Sequence, residues 1–427
     1  MITMLKRLRL QRFKSFEDQE IVLSPLTICV GANASGKSNF FDAIRFLQGI
    51  GSGLMIRDIF QGMYRGGREV WTGLRGGTQE AAYKDADNFE LMSEWTIGPK
   101  KQTSQYWIGC QTEPTPLVTR ETLKLRSGGR YIFDTEAGAL RGRTGLNGSG
   151  GIRVAIKREG KGNSPTKTFP AARSLLAQIG PAEGMHPVVL PVLEEQKKRL
   201  ETSIFLDITP RRMRDYVSKQ ADQLGAEGEN LSAILWNLFR RKQGTLFDRE
   251  QSTDKEDIID WLTELCSQEF TDLDFVETDL GDVMLEVIEE GGQAISARSL
   301  SDGTLRFLGL ISALRTAPPG STLLLEEIEN GLHPSRVHLL VQHVEEITRV
   351  RNIQVIATTH SPRVLDALSQ QNLRNAVLFA RQKRNGQPAG TVMHRFSDLP
   401  HFEQAIEKRS IEDLYISRWL ENVVWMS

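Results

Sequence analysis

The apolar positions along this chain change period in a way that separates its elements. Residues Leu26, Ile28, Cys29 and Val30 form a short, nearly continuous apolar run, the pattern of a strand buried on both faces. Behind it Phe40, Phe41, Ile44 and Leu47 fall at helical spacing until Gly49, Gly51 and Gly53 interrupt the pattern and predict the helix end. Ahead of it, 5–13 and 21–23 predict two strands that turn around Lys14. A polar, glycine-rich segment covers 49–77. Period two then appears at Phe89, Leu91, Trp95 and Ile97 and again at Tyr106, Ile108 and Cys110, which predicts an antiparallel hairpin. Further short strands are predicted at 131–133 and 152–156.

Helical patterning returns at 188–200, with Pro191 in the opening turn, and 204–208 reads as a strand stopped by Pro210. Leu231, Ile234, Leu235, Leu238 and Phe239 make one helical stripe. A capping box at 253–256 opens another, carrying Ile258, Ile259, Leu262, Leu265 and Cys266. Both stripes read most simply as core; a partner-binding face is the alternative. Strands follow at 273–276 and around Val283, Leu285 and Val287, then a helix bearing Leu305, Leu308, Ile311 and Leu314, and buried-type strands at 322–325 and 355–359. After His360 the pattern is strand, turn, strand and a closing helix around Leu414, Trp419 and Leu420. No repeat, low-complexity tract or heptad run long enough for a coiled-coil arm is present.

Length and charge narrow the picture. A chain of 427 residues can hold two or three domains. A net charge of -1 excludes an overall polyanion-binding character, so any nucleic-acid surface must be local. The stretch 120–167 is such a candidate, with Arg126, Arg130, Arg141, Arg143, Arg153, Lys157, Arg158 and Lys161; a solvated loop surface is the other reading. Cys29, Cys110 and Cys266 lack metal-type spacing and read as buried thiols of a reducing compartment. With no signal peptide pattern and no apolar run long enough for a bilayer, the expectation is a cytoplasmic protein with no membrane partner.

The chemistry gathers at strand ends. After the first buried strand comes GANASGKS, a GxxxxGK[ST] P-loop with Gly31, Asn33, Ser35, Gly36, Lys37, Ser38 and the following Asn39 as candidate nucleotide-binding residues. The glycines let backbone N–H groups close on phosphate oxygens, Lys37 would reach the β- and γ-phosphates, and the Ser38 hydroxyl would take a place on Mg²⁺. Lys14, in the preceding turn, is either a nucleotide contact or a solvated lysine. Ser301 and Gly303, at a helix start, make either a second anion site or a plain cap. Glu326 and Glu327 end an apolar strand, which suits one carboxylate beside the metal and a second that orients and deprotonates water. His360 ends another buried strand, where it is either structural or a hydrogen-bond donor to a γ-phosphate.

Taken in order, GANASGKS, SLSDGT, LLLLEEIENGLHP and ATTHSP resemble the Walker A, signature, Walker B with D-loop, and switch-histidine series of ABC-type ATPases. RFKSF at 12–16 and ENGLHP at 329–334 resemble the SMC and RecF branch, and within it the compact stand-alone AAA-family ATPases related to OLD-type and phage-defence proteins. The resemblance implies an α/β ABC-type head: a mixed, mainly parallel P-loop core sheet, an antiparallel β subdomain and a helical insertion, without a coiled-coil arm. It divides the chain into an N-terminal lobe at 1–185, the insertion at 186–270 and a C-terminal lobe at 271–427. It also implies a homodimer, or higher homo-oligomer, closed around ATP and Mg²⁺, in which Ser301 and Gly303 of one copy cap the γ-phosphate held by the other. Glu326 would be the metal-side acid, Glu327 the general base and His360 the switch residue. A separate effector, a nuclease or toxin, would read the switch; a DNA-maintenance ATPase is the alternative. This chain departs from the pattern at Glu326, where aspartate is commoner, and at Asp302, Thr304 and Ile328. Gln61, Gln220 and Gln223 are the candidates for the Q-loop.

Overall fold

The computed structural model describes residues 4–98, 102–126, 131–138, 150–160, 163–221, 223–240, 251–265, 270–384 and 387–426. The P-loop strand spans Leu26–Val30 and the P-loop helix Lys37–Gly51. The helix runs through Gly49 and ends at Gly51, within the predicted glycine cluster, and Gly53, at φ 70°, lies just beyond its end. Contact explains both glycines. A Cβ at Gly49 would stand 2.7 Å from the Ile59 side chain, and one at Gly51 would stand 2.6 Å from the Glu201 backbone nitrogen. They let the helix pack tightly against its neighbours.

Among the described residues six strands form the core sheet, in the order Ser203–Leu206, Thr322–Leu325, Gln354–Thr359, Leu26–Val30, Val377–Arg384 and Gln387–Arg395. The first five run parallel and the last is antiparallel to its neighbour. Side chains alternate strictly between two cores: Leu323, Leu325, Val355, Ala357, Ile28 and Leu378 pack on one face. Leu324, Ile356, Cys29, Val377 and Phe379 pack on the other. A sheet covered on both faces is why these strands read as continuous apolar runs. Parallel strands also align their carboxyl ends, which puts Gly31, Glu326 and His360 on one edge of the sheet.

The second face is closed by an eight-stranded antiparallel sheet running from Thr166–Pro170 through Gly151–Ile156, Tyr131–Asp134, Leu117–Leu125, Gln102–Gln111, Asn88–Ile97 and Leu5–Phe13 to Phe16–Val22. Phe13, Phe46, Phe60 and Phe89 interlock beneath it, with ring centroids 5.1–6.1 Å apart in edge-on and tilted pairs. Its edge meets the core sheet where the Thr391 N–H donates to the Ser15 carbonyl at 2.7 Å. Within this sheet Glu121 is fully buried and accepts from Tyr106 Oη, Ser174 Oγ and the Leu175 backbone N–H at 2.7–2.9 Å. Burial pushes its carboxyl up from the ordinary 4.5 to about 7, against the pull of those donors. The folded state therefore holds this proton more tightly than the unfolded chain, so its contribution to stability is greatest at low pH and is lost as pH rises through about 7. Urea unfolding at pH 5 and pH 8 should show a decline in stability that is smaller by up to about 3 kcal/mol in Glu121→Gln. Identical declines in the two proteins would remove this account.

The segment 186–270 opens with the helix Val189–Glu201, which packs on the P-loop helix, and then supplies the core edge strand Ser203–Leu206. It continues with helices Leu231–Arg240 and Gln251–Leu265. The second is already under way at Gln251, so the box at 253–256 falls inside the helix and does not cap it. Its stripe residues Ile258 and Leu262 are core, as are Leu231, Ile234 and Leu235 of the first. A small antiparallel sheet of Val217–Ser218, Asp282–Glu289, Phe270–Glu277 and Ala294–Ser296 lies beside them. Cys266 lies outside the described residues. Cys29 and Cys110 are buried free thiols, as expected, and burial pushes Cys29 up to about 12. Among the described residues no helix is long and apolar enough to cross a membrane.

Candidate nucleotide-binding site

The P-loop turns through Ala34 at φ 60° and Gly36 at φ 110° before the helix starts at Lys37. Only glycine fits at 36, since a Cβ there would stand 2.4 Å from the Thr391 hydroxyl. No side chain caps the helix, so its first backbone N–H groups face the loop without a side-chain acceptor. Lys37 Nζ donates to the carbonyls of Gly31 at 2.6 Å and Ala32 at 3.0 Å, folded across the loop it closes. Burial lowers its pKa, while Cys29 and the carboxylates of Glu327, Glu326 and Glu329 act the other way. The Ser35 hydroxyl is buried with no hydrogen-bond partner in the protein. A buried donor without an acceptor, beside a lysine and open helix N–H groups, is a cradle that a phosphate would complete. Asn33 and Ser38 are exposed on the loop and helix start, and Asn39 braces the turn by donating to Ser15 Oγ at 2.9 Å.

Lys14 stands next to this loop, at φ 47°, but its ammonium is committed. It donates to Asp42 Oδ2 at 2.7 Å and to the Arg75 carbonyl at 2.6 Å, with both ion-pair side chains buried. Arg75 is the residue that sequence reasoning missed. Its guanidinium reaches Asp42 at 3.3 Å, the Ser38 carbonyl at 2.9 Å and Glu326 at 3.5 Å, joining the P-loop helix to the carboxylate strand. Nothing periodic marks it, because it sits in the glycine-rich segment, within a turn that follows the hairpin Met63–Arg65/Arg68–Trp71. One guanidinium bonding the Ser38 carbonyl and the Glu326 carboxylate brings together the two residues expected to face Mg²⁺. A hydroxyl and a carboxylate are the hard oxygen donors that Mg²⁺ takes.

Glu327 leaves the carboxylate strand in the left-handed region, at φ 48°, where only its fold-back to the neighbouring strand holds it. Its carboxylate accepts from Asn330 Nδ2 at 3.3 Å and lies 3.9 Å from His360 Nε2. Burial lowers the His360 pKa below the ordinary 6.5, Lys37 adds to this, and Glu327 and Glu329 oppose it. His360 is therefore neutral at pH 7 and can donate one N–H without carrying charge. Its backbone N–H donates to Glu329 Oε1 at 3.0 Å. Lys37, Glu326, Glu327 and His360 thus share one electrostatic neighbourhood within a single chain.

Ser301 and Gly303 stand at the start of another helix, beside the loop that follows the carboxylates. Ser301 caps the signature helix Asp302–Thr316, accepting from the Thr304 N–H at 3.1 Å. Gly303 lies against the loop after the carboxylates: a Cβ on it would stand 2.4 Å from the Gly331 carbonyl. Among the described residues no hydrogen bond links either of them to the P-loop of the same chain. Of the Q-loop candidates, Gln61 ends a short helix, and Gln220 and Gln223 lie in the loop after the strand Val217–Ser218. A cleft of ≈ 210 Å³ beside the carboxylates is faced by Asp207, Arg306 and Asn330, with none of the three glutamines in its lining. In the basic stretch, Arg153 lies on a strand of the antiparallel sheet, with Lys157 and Arg158 just beyond its end. Arg130, Arg141, Arg143 and Lys161 lie outside the described residues.

The chain is similar to known proteins in sequence and in fold. Residues 157–366 match the family described as AAA domain, putative AbiEii toxin, Type IV TA system, and residues 7–49 match a second AAA domain family. An ATP/GTP phosphatase of Helicobacter pylori (strain ATCC 700392 / 26695) is 36% identical over 72 residues, which is 16% of this chain and 19% of that protein. The chain therefore spans about a fifth of the relative it matches. Among solved structures, the SmcHead bound to the C-winged helix domain of ScpA is similar at 15% identity and TM-score 0.50, over 92% of this chain and 99% of that one. The SMC head domain from Thermotoga maritima aligns at 15% identity and TM-score 0.40, over 92% and 98% of the two chains. The fold is that of an SMC-like head, and residues 7–49 and 157–366 are similar in sequence to AAA domain families.

Proposed function

We propose that this chain, an AAA ATPase domain on the fold of an SMC-like head, hydrolyses ATP at a site completed by a second copy of itself. The P-loop N–H groups, Ser35 and Lys37 bind the phosphates. Glu327 orients the attacking water and accepts its proton, while neutral His360 donates to the γ-phosphate. Ser38 and Glu326 are the residues assigned to Mg²⁺, which when bound neutralises charge on the β- and γ-phosphates. The observation that carries the reading is that Lys37, Glu327 and His360 cluster within one chain while, among the described residues, Ser301 and Gly303 make no hydrogen bond to the P-loop of that chain. ATP would then close the dimer and hydrolysis release it, a switch read by a separately encoded effector. The matched family's description as a putative AbiEii toxin of a Type IV TA system is compatible with a toxin-linked role; the effector would be a nuclease or toxin and the setting phage defence.

Mixing two inactive proteins tests the shared site. Lys37→Ala and Ser301→Arg should each be inactive, but their mixed dimer retains one intact site. With random exchange, ATPase activity should return to about a quarter of the unsubstituted level, as two-fold symmetry requires. No recovery from a mixture shown to exchange subunits would sink the reading.

A further inference from the structure

We propose that Thr358 is the positioning residue for the Glu327 carboxylate, an inference that rests on Glu327 being the base. The side-chain contacts of Glu327 are too long to fix it: Asn330 stands at 3.3 Å and His360 at 3.9 Å, and the side chain is 51% exposed. Its direction is set instead by its backbone, which sits at φ 48°, a conformation that a residue with a Cβ adopts only when its surroundings impose it.

Thr358 supplies that constraint. It is the penultimate residue of the strand Gln354–Thr359, which pairs in parallel with the carboxylate strand in a register of Leu325 opposite Ala357. Thr358 is therefore one step beyond the last pair, beside the turn. Its hydroxyl accepts the Glu327 N–H at 2.9 Å and its carbonyl accepts the Ile328 N–H at 3.1 Å. Thr358 is 5% exposed, so water does not readily replace its hydroxyl. Two residues on, the Glu329 carboxylate takes the His360 N–H, so the base-bearing turn and the histidine-bearing strand end are laced together. Only the Thr358 hydroxyl bond depends on a side chain of that strand, and it can be cut without disturbing the ladder.

Valine has the shape of threonine and lacks the acceptor. Thr358→Val should lower kcat about ten- to a hundredfold, the scale of a misplaced reacting group, with KM for ATP within about twofold. Thr358→Ser, which restores the hydroxyl, should keep kcat within about twofold. In a Glu327→Gln background Thr358→Val should cause no further loss, because the group it positions is gone. A Thr358→Val kcat within about twofold of the unsubstituted protein, or an equal loss in Thr358→Ser, overturns the proposal. If Thr358→Val loses its cooperative melt, Thr358→Ala is judged by the same kcat criterion. Normal turnover in Glu327→Gln alone would instead remove the base assignment, and the two failures are told apart by that protein.

Discussion

Glu327→Gln should bind ATP with near-normal affinity, turn it over about a hundred- to ten-thousandfold more slowly, and accumulate as an ATP-bound dimer. Glutamine has the shape of glutamate and can still hydrogen-bond a water, but its amide cannot take the proton as the oxygen attacks. The turn survives, because its anchors are backbone groups bonded to Thr358 and not the carboxylate. Binding survives as well, since the phosphate cradle is built from the P-loop and its helix. Single-turnover hydrolysis and mass measurement with and without ATP read both effects. A variant that hydrolyses at the normal rate places the base elsewhere, and one that stays monomeric with ATP breaks the link between a stalled site and dimer closure.

Lys37→Ala is the opposite failure. It removes the ammonium that the carbonyls of Gly31 and Ala32 hold over the loop, at 2.6 and 3.0 Å. The phosphate charge would then meet a site whose remaining side chains include Glu326, Glu327 and Glu329, the carboxylates that act on Lys37. Loss of one such preorganised charge costs about a hundred- to thousandfold, and here it falls on binding before chemistry. Calorimetric titration should show ATP affinity reduced on that scale, and the protein should remain monomeric at ATP concentrations that dimerise Glu327→Gln. Undiminished affinity would show that the P-loop is not the phosphate site. The pair of variants therefore separates binding from turnover.

The helix Lys37–Gly51 shows where local pattern misleads. Gly49 carries the composition of a helix end, yet the helix continues through it to Gly51, and both glycines leave room for Ile59 and the chain at Glu201. The residues 253–256 likewise have the composition of a cap but lie inside the helix Gln251–Leu265. Lys14 was legible as a residue near the P-loop, but not as one bound to Asp42, because a lysine in a turn and an aspartate one turn into the P-loop helix meet only through the fold. Arg75 left no trace in the pattern: an arginine in a glycine-rich segment has no periodic neighbours to mark it, and only the fold brings it to Ser38 and Glu326.

What the sequence by itself determined is the set of parallel strands and the chemistry at their ends. A strand buried on both faces must be apolar throughout, and a phosphate loop needs glycines, a lysine and a serine at set spacing, so both leave marks that local reading recovers. What only the tertiary structure decided is which of those groups meet. Lys37, Glu326, Glu327 and His360 come together although more than 300 residues of chain separate the first from the last, because parallel pairing aligns the ends of strands distant in sequence. Gly303 is packed against Gly331, in the loop that follows Glu327, and among the described residues neither it nor Ser301 bonds to the P-loop. Contact across such separations depends on packing and register, which no local pattern of side chains encodes.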